Sequence, residues 1–110
     1  DTKDHFTIMK EEPFGPLVPI LSFETFDEVI ERANNHELGL ASYICTSSME
    51  RANQASELIE TGTVVVNTPL VAIAEAPFGG IKQSGYGREG GSMAIKDYLN
   101  VKYTHLGLKG

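Results

Sequence analysis

The chain has 110 residues, enough for one modest domain, and its 41% hydrophobic and 22% charged composition is that of an ordinary soluble globular protein. Nine Lys plus Arg against fifteen Asp plus Glu leave a formal net charge of −6, which argues against a nucleic-acid backbone or an anionic membrane surface as the main partner. Cys45 is the only cysteine, so no intrachain disulfide is possible and a reducing, cytoplasmic setting is expected; no apolar run nears the roughly 20 residues of a membrane span.

No signal-peptide pattern opens the chain, and its start at Asp1 in a polar segment fits either trimming or a chain that begins inside something larger. Residues 1–10 are polar with Phe6, Ile8 and Met9 embedded, a short strand or an arm lying on a neighbour. Glu11-Glu12-Pro13-Phe14-Gly15-Pro16 follows, where two prolines and a glycine forbid regular structure and fix a turn. Leu17–Phe23 is mostly apolar and reads as a buried strand, although Pro19 cannot donate to a ladder and prefers an edge or a bulge.

Thr25-Phe26-Asp27-Glu28 is a capping box that opens a helix to about Asn34, with Phe26, Val29, Ile30 and Ala33 on one face. Leu40–Thr46 reads as a strand. Ser47-Ser48-Met49-Glu50 repeats the box, and a second helix runs to about Glu60 with Ala52, Ala55, Leu58 and Ile59 inward and Gly62 suited to its C-cap. Thr63–Asn67 carries three consecutive valines, the pattern of a strand buried on both faces of a parallel sheet. The order strand, helix, strand, helix, strand implies an α/β layer with a parallel βαβαβ arrangement. Residues 67–91 form a long loop, Ser92–Leu99 a short helix, and Val101–Leu108 a loosely alternating strand.

Within that loop, Ala76–Gly90 (A-P-F-G-G-I-K-Q-S-G-Y-G-R-E-G) concentrates glycine, whose missing Cβ permits positive φ and close backbone approach. Phe78, Ile81 and Tyr86 are too apolar for a linker, so the loop is expected to be ordered and functional. Gly85–Gly90 matches G-x-G-x-x-G, but the dinucleotide fingerprint needs a strand immediately before it, and Gln83-Ser84 is not one; a turn leading into a helix is the better reading. Cys45 lies in an apolar strand with no basic neighbour, which favours a buried inert thiol over a nucleophile. His5, His36 and His105 lack metal-ligand spacing. Lys82 and Arg88 either grip an anion beside loop N–H groups or bind neighbouring carbonyls. Glu11-Glu12 is either a solvated acidic pair or, on its rigid backbone, a held carboxylate.

E-E-P-F-G-P (Glu11–Pro16), G-T-V-V-V-N (Gly62–Asn67) and P-F-G-G-I-K-Q-S-G-Y-G-R-E-G (Pro77–Gly90), in this order and spacing, resemble the C-terminal quarter of the NAD(P)-dependent aldehyde dehydrogenases. The tail Asp97–Leu108 resembles the succinate-semialdehyde dehydrogenase branch. The resemblance implies an enzyme in which a cysteine thiolate attacks an aldehyde, hydride passes to NAD or NADP, and a glutamate-activated water hydrolyses the thioester. It places that cysteine and glutamate upstream of Glu11, so no catalytic residue is assigned in this chain and 110 residues alone are not expected to turn over aldehyde.

By the same resemblance, Glu12 accepts hydrogen bonds from the nicotinamide-ribose hydroxyls, Phe14 packs near the nicotinamide, and Phe78 stands at the mouth of an aldehyde pocket lined by residues 67–77. Ala72 occupies the position of a serine that holds the substrate carboxylate in succinate-semialdehyde enzymes, so other aldehydes and other semialdehydes remain open. Residues 1–99 would then be the C-terminal part of a catalytic domain and 100–110 an oligomerisation strand of a homodimer or homotetramer. The rival expectation is a free-standing α/β module that holds an anionic ligand with Gly79–Gly90.

Overall fold

The computed structural model describes residues 2–108 and 110. Helix α1 spans Phe26–Asn34, strand β1 Leu38–Gly39, β2 Ala41–Ile44, helix α2 Met49–Leu58, β3 Thr63–Val66 and β4 Ile81–Lys82. Short 3₁₀ turns occupy Thr7–Met9 and Ala94–Tyr98.

The α1 cap forms as its residue pattern requires. The Thr25 hydroxyl accepts the Glu28 N–H at 3.2 Å, and the Glu28 carboxylate reaches back to the Glu24 N–H at 2.8 Å. The second box does not close, because Ser48 rather than Ser47 is the cap. Its hydroxyl accepts the Arg51 N–H, which puts Glu50 one position short of the reciprocal bond, and Glu50 instead places its charge in the first turn.

Strands β2 and β3 are parallel, from Ala41↔Thr63 to Ile44↔Val66, with α2 as their crossover. Beside them β1 and β4 pair antiparallel, Leu38↔Lys82 and Gly39↔Ile81. The Gly62 N–H donates to the Gly39 carbonyl and so ties the two pairs together. Ala52, Ala55 and Val65 are the buried apolar residues among those described. Leu58, expected inward, is 51% exposed, since it sits at the rim of the Ala52–Ala55–Ile59 stripe.

Two expected strands are not formed. Leu17–Phe23 has no regular structure and no strand partner, with Val18 81% and Ile20 79% exposed, because no described strand pairs with it and Pro19 has no N–H to offer one. Val101–Leu108 is likewise unpaired and exposed, and the short helix over Ser92–Leu99 is a 3₁₀ turn. The embedded apolar residues near the N-terminus form a 3₁₀ turn instead of a strand. These outlying segments stretch the radius of gyration to 19.5 Å, against about 13 Å for a compact chain of this length. No described helix is long and apolar enough to cross a membrane.

Candidate functional site

The site is built from the loop after β3. Asn67 starts it in the left-handed region, φ +56°. Its side-chain amide donates to the Thr46 carbonyl at 2.8 Å and accepts the Thr46 N–H at 2.9 Å, so a side chain continues the parallel ladder while the backbone turns out of it. Ala72, exposed, lies in the segment that follows.

The glycine-rich stretch then folds back on itself. Phe78 and Glu89 exchange both backbone hydrogen bonds, at 2.7 and 2.8 Å. The Arg88 guanidinium donates to the carbonyls of Gly80 (2.8 Å) and Gly87 (2.7 Å), and the Asp97 carboxylate accepts the Arg88 N–H at 2.8 Å. Gly62 is not a helix cap, since α2 is capped at Ile59. It is required because a Cβ there would run into the Gly79 carbonyl. A cavity of about 350 Å³ opens here, lined by Phe78, Gly80, Ser84, Tyr86, Arg88 and Asp97 among others.

Lys82 is the second non-glycine residue with positive φ, +55°, a conformation that costs about 1–3 kcal/mol. Its ammonium donates to the carbonyls of Asn34 (2.9 Å) and His36 (3.2 Å) and pairs with Glu60 at 2.7 Å. A cation at the C-terminal end of α1 also meets the negative end of the helix dipole. Both cations of the loop are therefore engaged within the chain, Arg88 by carbonyls and Lys82 by carbonyls and the Glu60 carboxylate. The N–H groups of Phe78, Gln83, Ser84, Arg88, Glu89 and Gly91 are likewise bonded within the chain.

The Glu11–Pro16 turn forms two successive three-residue turns, Gly15 N–H to the Pro13 carbonyl and Leu17 N–H to the Gly15 carbonyl. Glu12 is exposed, and among the described residues no donor occupies its carboxylate; Phe14 is 94% exposed. Phe78 alone of the four candidate residues lines the loop cavity; Glu12, Phe14 and Ala72 do not share it. Cys45 is exposed, not buried as its neighbours imply. It opens onto an apolar groove of about 380 Å³ with Phe23, Phe26, Ile30 and Ile44, and nothing in the described chain covers that groove's mouth. His36 accepts the Leu38 N–H on Nδ1 (3.0 Å), so its Nε2 carries the proton donated to the Met9 carbonyl (3.1 Å). It ties the N-terminal turn to β1; among the described residues no group of three or more His, Cys, Asp or Glu side chains is placed to hold a metal.

The model of the aldehyde dehydrogenase family matches residues 1–104. The chain belongs to the aldehyde dehydrogenase family. It is 51% identical to the 3-sulfolactaldehyde dehydrogenase of Pseudomonas putida over 91% of this chain and 21% of that protein. It is 45% identical to the mitochondrial succinate-semialdehyde dehydrogenase of Arabidopsis thaliana over 97% of this chain and 20% of the relative. Among solved structures, an NADP-dependent enzyme of E. coli superposes with a TM-score of 0.92 at 44% identity, over 98% of this chain and 22% of that one. The NAD⁺ complex of an aldehyde dehydrogenase from Bacillus cereus gives 0.89 at 48% identity, over 93% and 21%. This aldehyde dehydrogenase segment thus spans about a fifth of the length of the relatives it matches.

Proposed function

We propose that this chain works as the C-terminal part of a longer NAD(P)-dependent aldehyde dehydrogenase that oxidises an aldehyde, with semialdehydes the favoured class, to the carboxylic acid. The observation that carries the reading is the family match over residues 1–104, supported by a superposition that covers 98% of the chain. The nucleophilic cysteine and the general base belong, in this reading, to the remainder of the protein. So do the partners for the exposed apolar segments Leu17–Phe23 and Val101–Leu108, which the isolated chain leaves to solvent. Residues 1–99 act as catalytic-domain chain and 100–110 as a strand joining subunits of a homodimer or homotetramer in the cytoplasm.

NAD or NADP supplies the hydride acceptor. The residues present fit it: a carboxylate with both oxygens available suits a vicinal diol, each oxygen taking one charge-assisted hydrogen bond. Glu12 would hold the nicotinamide ribose in this way, and the exposed ring of Phe14 would pack beside the nicotinamide. On the substrate side, Phe78 borders the aldehyde pocket and Ala72 lines it. Alanine offers no hydroxyl to a substrate carboxylate, so that group must find its donors elsewhere.

Glu12→Gln in the longer enzyme tests the assignment. Its expected effect is a dinucleotide KM raised about tenfold, the loss of one charge-assisted bond, with the aldehyde KM unchanged. Unchanged dinucleotide kinetics would remove Glu12 from the cofactor site.

A further inference from the structure

We propose that Lys82 is a positioning residue for the aldehyde pocket: its ammonium, anchored on the end of α1, sets where Phe78 stands. The inference rests on the functional reading above and on three observations that the family resemblance did not supply. First, Lys82 holds a left-handed backbone conformation with a side chain attached, φ +55°. Such strain persists only where the surroundings over-determine it, and it collects at functional sites.

Second, the ammonium has three acceptors, the carbonyls of Asn34 and His36 and the Glu60 carboxylate, which match its three N–H donors. Those acceptors come from the end of α1 and from the residues after α2. Asn34 itself bridges to the same place, donating to the Leu58 carbonyl and accepting the Glu60 N–H, both at 2.8 Å. Lys82 is therefore fixed to the junction of two helices.

Third, a short and tightly packed path joins Lys82 to Phe78. Ile81 and Lys82 pair with β1, and the Gln83 N–H donates to the Glu37 carbonyl. The Ser84 hydroxyl accepts the Gly39 N–H at 2.9 Å and stands so near Gly80 that a Cβ there would lie 2.6 Å from the Ser84 Cβ. The Gly79 carbonyl is pressed on Gly62, and the next residue is Phe78, held by Glu89. Each step of this path is thus hydrogen-bonded to, or in close backbone contact with, a neighbouring segment. Releasing the ammonium relaxes the turn at Lys82 and carries Gly80, Gly79 and Phe78 with it.

The test uses the full-length enzyme with Lys82→Met, Lys82→Gly and Lys82→Arg. Met removes the charge at similar length, Gly removes both side chain and backbone strain, and Arg keeps a cation. The expected result is an aldehyde KM raised about tenfold in Met and Gly, with the dinucleotide KM within about twofold, and most of the loss restored in Arg. An unchanged aldehyde KM, or a fall in kcat alone that tracks the fraction of folded enzyme, would overturn the proposal. Should the full-length wild type fail to oxidise any aldehyde, the functional reading above falls. Amide exchange then decides the anchoring role separately. Faster exchange at Phe78 and Glu89 in Lys82→Met, with β2–β3 unaffected, upholds it, and unchanged exchange there refutes it.

Discussion

Asn67 reads the backbone of Thr46 with its side-chain amide, donating to the carbonyl and accepting the N–H, just where β3 stops being a strand. The parallel ladder is thereby extended by one step while the main chain leaves in the left-handed direction toward the pocket loop. A position that needs both positive φ and a two-way amide suits Asn better than any other residue.

Substitution at Asn67 should therefore rank by what is lost. Gly keeps the conformation and loses the amide, at about 1 kcal/mol; Ala adds backbone strain; Val adds the largest strain, for a total of about 2–4 kcal/mol. Thermal unfolding of the longer protein checks the order Gly, Ala, Val. A Val variant as stable as Gly would show that the conformation is not held.

Glycine substitutions should separate close approach from mere flexibility. Gly62→Ala drives a methyl group into the Gly79 carbonyl and is expected to cost about 1–3 kcal/mol and to raise the aldehyde KM. Gly107→Ala meets nothing of this chain within 4 Å and should leave the aldehyde KM unchanged. Equal effects of the two would contradict the packing described.

Acid should loosen the start of α1. The Glu28 carboxyl is held below its ordinary value of 4.5, chiefly by the Glu24 N–H it accepts, opposed by some loss of hydration and helped by Thr25 and Arg32. A depressed folded value means the contribution is complete above about pH 4.5 and is lost as pH falls through the lower folded value. Protection of the amides at residues 24–28, taken relative to the intrinsic exchange rate at each pH, should thus fall below pH 4.5, and Glu28→Gln should flatten that response. An identical acid profile in the Gln variant would discount the carboxylate.

The 110-residue chain alone should self-associate. Leu17, Val18, Ile20, Val101, Leu106 and Leu108 are each more than 60% exposed, on segments that pair with no described strand. Sedimentation at micromolar concentration checks this. A monomer with a sharp cooperative melt would instead favour a self-sufficient module.

What the sequence made legible was local. A hydroxyl cap followed by apolar residues at helical spacing located α1 and α2, and three valines in a row located β3, because those signals lie within a few residues of what they specify. The β1–β4 pair was not visible: two residues per strand carry no period, and the partners are more than 40 positions apart. Leu17–Phe23 and Val101–Leu108 have strand-like residues, but strandedness requires a neighbour, which lies outside their own sequence. Cys45 misleads for the same reason, since apolar flanks announce a surface to be covered and not the cover itself. The roles of Lys82 and Arg88 turn on carbonyls brought near by the fold, and no spacing rule reveals those. The three motifs of the family, by contrast, were readable as letters.

The most direct test is to supply the longer protein that carries this segment with aldehydes, semialdehydes first, and to follow the reduction of NAD and NADP together with the acid formed. The account predicts aldehyde-dependent reduction of at least one dinucleotide, one reduced molecule for each carboxylic acid produced. A folded protein that reduces neither dinucleotide with any aldehyde offered would contradict it.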